Sequence, residues 1–102
     1  MKVLQNKETT LKNPDGKTNA VYADLIAVAL NAIPQGGISP SEMRKRLRIM
    51  KAVEAAPNAN DLIRFEDNDA DNLKGYVKTS KWGVIHEDIL VFQDDVEGMK
   101  SE

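Results

Sequence analysis

Apolar residues fall at helical spacing over most of this chain and gather into a few short β-prone pieces elsewhere. Tyr22, Leu25, Ile26, Ala29, Leu30 and Ile33 follow one helical face. Val21, Ala27 and Val28 lie on the other side, with Asp24 as the only charge. The pattern predicts a first helix that starts at Thr18 or Asn19, either of which can cap free N–H groups. Pro34, Gly36 and Gly37 end it. A helix this apolar on nearly all sides is either central or turned toward a partner.

The second helix opens on Ser39-Pro40-Ser41-Glu42, a capping box with Ser39 as N-cap, Pro40 in the first turn and Glu42 reaching back. Met43, Leu47, Met50 and Val53, with Ile49, form its expected inward stripe. Arg44, Lys45, Arg48 and Lys51 fall on the other side, and Pro57 and Asn58 stop the helix. Asp67 or Asn68 can cap a third helix carrying Ala70, Leu73, Tyr76 and Val77, in which Gly75 is a weak point. A fourth helix is expected from about His86 to Glu97, with Ile85, Ile89, Phe92 and Val96 on one side and Gly98 at its end.

The β signals are weaker. Val3-Leu4, Thr9-Thr10-Leu11 and Leu62 to Phe65 are short, and Asn13-Pro14-Asp15-Gly16 is a strong turn. Together the elements predict one domain over residues 1–102, mainly α and α+β only at the margin. It has about four helices, an N-terminal hairpin or extended arm over 1–18, and a frayed tail over 99–102.

A length of 102 residues with 41% hydrophobic and 29% charged residues fits one small folded domain. Only five residues are aromatic (Tyr22, Phe65, Tyr76, Trp82, Phe92), so the core is mostly aliphatic and Trp82 and Phe92 are expected within it. Cysteine is absent, which excludes disulfides, thiolate zinc sites and cysteine nucleophiles. No stretch approaches the roughly 20 apolar residues of a membrane span, and the N-terminus lacks a signal-peptide pattern.

Charge is divided unevenly. Residues 1–59 carry nine Lys or Arg against five Asp or Glu, whereas residues 60–102 carry five against eleven. The cations of helix two form the candidate binding face: Arg44, Lys45, Arg48 and Lys51. Such a face suits a solvated surface, an acidic protein partner or phosphates. A helix–turn–helix arrangement of helices one and two makes a DNA-binding regulator the alternative function, although the Pro34 to Ile38 connection is long for that motif.

Other chemistry is sparse. Asp67-Asn68-Asp69-Ala70-Asp71-Asn72 begins like a calcium loop, but Asn72 stands where glycine is required and Lys78 where a bidentate Glu is required. His86 is the only histidine and fits helix capping beside Glu87 and Asp88. No catalytic, cofactor-binding or metal-ligating residue is assigned, and an enzyme is not expected.

One resemblance is visible in the layout. Pro14-Asp15-Gly16-Lys17-Thr18 leads into an apolar helix ending at Ala29-Leu30. The basic helix of Glu42 and Arg44 to Lys51 follows, then Ile63 to Phe65, an acidic cap, and helices flanking Lys81-Trp82-Gly83-Val84. This order resembles small uncharacterised proteins of tailed bacteriophages and prophages. The resemblance implies a phage accessory or assembly protein that binds a phage or host protein, or itself. Such a protein works in the bacterial cytoplasm or on the virion and does not enter a membrane.

Overall fold

The turn at Asn13-Pro14-Asp15-Gly16 forms as expected in the computed structural model, which describes residues 1–102. Asp15 Oδ1 accepts from the backbone N–H groups of Lys17 and Thr18 at 2.8 and 3.1 Å, and Gly16 takes a φ of 69° that glycine adopts without strain. The turn joins antiparallel strands β2 (Glu8–Lys12) and β3 (Asn19–Val21).

Strand β3 corrects the expected start of the first helix. Asn19 is not a cap; its backbone pairs with Lys12 and its side-chain amide donates to Glu8. Helix α1 (Tyr22–Leu30) therefore starts three residues later. Asp24 reaches back to accept from the Val21 N–H, and Asn6 Oδ1 accepts from the Ala23 N–H at 2.8 Å. Two of the donors that a helix start leaves unpaired are met this way.

Strand β1 (Lys2–Gln5) is not part of a loose arm. It is the centre of a three-stranded antiparallel sheet in the order β4-β1-β5, where β4 is Leu62–Phe65 and β5 is Lys100–Ser101. Lys2 faces Phe65 on one side and Ser101 on the other. The tail expected to fray is thus paired, and Met99 before it is buried. With two sheets holding 18% of residues and helices 47%, the fold is mixed α+β rather than mainly α. Single-strand patterns understate sheets, because a four-residue strand gains stability only from partners that lie far away in sequence.

Helices α2 (Pro40–Glu54), α3 (Asp67–Thr79) and α4 (Glu87–Glu97) complete the chain. Helix α3 packs against α1, α2, α4 and β4, which makes it the most widely contacted helix of the fold. Ile26, Ile49, Ile63, Phe65, Leu73, Val77, Phe92 and Val96 are almost wholly buried between these helices and one face of the three-stranded sheet. Phe92 takes edge contacts from Tyr22 and from Trp82, so Phe92 lies in the core while the partly buried Trp82 packs against it from outside.

Candidate functional site

The rotation of α2 about its own axis decides what the basic helix presents. Helix α1 has no basic residue in its last turn. Its terminal carbonyls are met from outside: Arg46 Nη1 donates to Leu30 O at 2.8 Å and to Ala32 O at 3.1 Å. The guanidinium also lies 4.7 Å from the centroid of the Tyr76 ring and donates to Glu42 through Nε. Glu42 accepts a second hydrogen bond from the Tyr76 hydroxyl. Its side chain is thus committed to α3, and only half of the expected capping box forms, with Glu42 N–H donating to Ser39 Oγ.

With Arg46 turned inward, Ile49 and Val53 face the core at the same helical spacing. The expected inward stripe is corrected in consequence. Met43 and Leu47 are 49% and 53% exposed, and Met50 is half-buried. Together with Leu30, Ile33 and Ile38 they line a shallow apolar groove of about 180 Å³ between the end of α1 and the outward side of α2.

The four candidate cations divide around this groove. Arg44, Lys45 and Lys51 are exposed and make no ion pair or side-chain hydrogen bond. Arg48 pairs with Asp69 of α3 at 3.2 Å, and the Asp69 side chain is almost fully covered. Arg48 is therefore partly consumed by the fold, while the other three remain available. The sequence pattern grouped all four cations but missed Met43 and Leu47 as surface residues. The available signal was the width of the apolar stripe, which is more than one inward face can hold.

The remaining polar clusters tie distant elements together. His86 caps α4, its Nδ1 accepting from the Asp88 N–H at 3.0 Å. The ring proton therefore sits on Nε2 and points at Thr10 Oγ1, 3.2 Å away. Thr10 in turn donates to Asp88 through both its N–H and its hydroxyl, each at 2.8 Å. In that tautomer the ring donates toward the threonine oxygen, while the threonine proton is directed at Asp88. The Thr10 N–H, then its hydroxyl, hold the Asp88 carboxyl below the usual carboxylate range. Tyr22 donates to Asp95 at 2.6 Å, and Lys7 pairs with the same oxygen. Burial first, then Asp95, raises the Tyr22 hydroxyl.

Residues Asp67 to Asn72 lie within α3 rather than in a loop, with Glu66 as the N-cap in place of Asp67 or Asn68. No group of three or more His, Asp or Glu side chains is placed to hold a metal ion. The Tyr76 hydroxyl is pushed up to about 12 by burial and then by Glu42. Its hydrogen bond, followed by that of Arg46, holds Glu42 below the ordinary carboxylate range.

No protein-family model matches the chain, and neither the curated proteins nor the solved structures provide a significant match. No helix is long and apolar enough to cross a membrane.

Proposed function

We propose that the chain is a non-enzymatic protein-binding module whose receiving surface is the outward side of α2 and the groove beside it. The observation that carries this reading is the half exposure of Met43 and Leu47 beside the unpaired Arg44 and Lys51. Exposed apolar side chains beside a groove gain free energy when covered, and the cations around them select what covers them. The chemistry that fits is an apolar side chain flanked by carboxylates. The layout shared with small phage proteins supports an accessory or assembly role, in the bacterial cytoplasm or on the virion.

A phosphate backbone suits this surface less well. Arg46 is spent on α1 and Arg48 on Asp69. Of the three remaining cations, only Arg44 and Lys51 share the side of α2 that carries Met43 and Leu47, which leaves few free charges for phosphates. The connection between α1 and α2 also includes Gly36 and Gly37, both at positive φ, and is not a tight turn.

Selection of displayed random peptides against the protein tests the reading, with counter-selection on Leu47→Asp. Enrichment of sequences pairing one large apolar residue with Asp or Glu is the expected result. A set dominated by Lys and Arg, or one that binds Leu47→Asp equally, refutes it. So does tight duplex binding at low salt that Arg44→Ala and Lys45→Ala abolish.

A further inference from the structure

A surface of opposite charge and matching spacing lies elsewhere on the same molecule. Along α4, Glu87, Leu90, Val91, Asp94 and Glu97 are all exposed and fall on one helical face. Leu90 is 63% exposed and Val91 49%. The other two acids of this helix are engaged, Asp88 with Thr10 and Asp95 with Lys7 and Tyr22, but Glu87, Asp94 and Glu97 have no partner. Just before the helix, Ile85 stands fully clear of the surface with Val84 half exposed beside it.

The outward face of α2 repeats this arrangement with the sign reversed: Met43, Arg44, Leu47 and Lys51 share one side, while Lys45 projects from another. Two unpaired cations, Arg44 and Lys51, beside one apolar strip thus answer three unpaired carboxylates around another. Helix α3 packs against both α2 and α4, and no ion pair joins the two faces within one molecule. A contact between them therefore requires two molecules.

We infer that the partner of the α2 groove is a second copy of this chain, which presents Ile85 and the Glu87-Leu90-Val91-Asp94 face of α4. The inference rests on the protein-binding reading above and names its occupant. Ile85 is the side chain best placed to enter the groove, since it has no cover of its own. The carboxylates of α4 set the orientation against Arg44 and Lys51, and they speed encounter at low salt. Each molecule offers one giving and one receiving face, so the contact is between unlike surfaces.

Sedimentation velocity over a concentration series, with two single variants and their mixture, tests this. Leu47→Asp spoils the groove and leaves α4 intact, while Ile85→Asp does the reverse. Both positions are exposed, so the fold is retained, which circular dichroism checks. The wild-type chain is expected to associate, and to do so at least about tenfold more weakly when salt rises from about 0.05 to about 0.5 M. Each variant alone sediments as a monomer, and the mixture regains a one-to-one complex, because one intact contact survives between the two.

A wild-type monomer at millimolar concentration and low salt overturns the inference, as does a mixture that stays monomeric. If the groove still selects acidic-apolar peptides in that case, only the identity of the occupant is wrong. If it selects none, the protein-binding reading falls with it.

Discussion

Helices α1 and α2 exchange the roles their sequences suggest. Helix α1 is apolar almost all round and invites a partner, yet its own fold covers Tyr22, Leu25, Ile26, Ala29 and Leu30 and leaves Val28 as its one largely exposed apolar residue. Helix α2 has a neat division into charge and apolar stripe, yet it leaves Met43 and Leu47 outside. The surplus apolar surface therefore lies on the helix that looked balanced. Amphipathic spacing identifies a helix reliably but leaves its rotation open by tens of degrees, and a single buried polar commitment can set that angle.

The inside and outside of α2 give the widest contrast to break. Ile49→Ala should cost about 2–4 kcal/mol by leaving a cavity beside α3 and β4. Leu47→Ala, two residues away, should change stability by no more than about 0.5 kcal/mol. Urea unfolding of both variants measures the difference, and equal losses would mean that α2 is rotated otherwise.

The two ties that hold α1 sharpen the comparison next. Asn6 is fully buried; it accepts from the Ala23 N–H and donates to the carbonyls of Ala56 and Asn58. Asn6→Ala should cost about 2–3 kcal/mol, since it leaves a buried donor and two acceptors short of a partner. Arg46→Ala frees the Leu30 and Ala32 carbonyls at a more exposed site and should cost about 1–2 kcal/mol. Chemical denaturation of the two variants gives the ranking, and amide exchange should show the first fraying α1 at its start and the second at its end. A neutral Arg46→Ala would remove the explanation for the exposure of Leu47.

The smallest effect expected is one of pH. Glu42 and Asp88 titrate below the ordinary carboxylate range when folded. The stabilisation they add is present above the unfolded carboxylate pKa and is lost as pH falls through the lower folded values. Tyr76 behaves oppositely: its contribution is intact below the ordinary 10.0 and is lost as pH rises toward about 12. Tyr76→Phe should therefore return the Glu42 titration toward its usual value and flatten both limbs of the stability profile. Carboxyl chemical shifts and the urea midpoint as a function of pH follow the two effects. An unmoved Glu42 titration in that variant would show that the phenol does not set it.

The sequence made some of this legible and hid the rest for identifiable reasons. Ser39 and Pro40 announce the start of α2, Asn13 to Gly16 the hairpin turn, and His86 the cap of α4. Each is a signal carried by a few neighbouring residues. The pairing of Lys100–Ser101 with β1 was hidden, because two polar residues carry no strand pattern and form one only beside Lys2 and Val3. Asn6 was hidden as well, since a buried asparagine looks like any loop residue until its distant partners are known. For the candidate surface, residue type and helix assignment located Arg44, Lys45 and Lys51. The capture of Arg48 by Asp69, and the exposure of Met43 and Leu47, depend on contacts between helices that spacing along one chain does not encode.

Arg46 fastens the end of α1 and, by doing so, turns α2. A leucine at that position would favour rolling the helix so that its oily side sank into the interior, leaving a uniformly charged exterior and no hollow beside it. One guanidinium thereby sets whether the molecule carries an open apolar hollow or a closed surface. A variant chosen only for heat resistance could lose that hollow at this single codon.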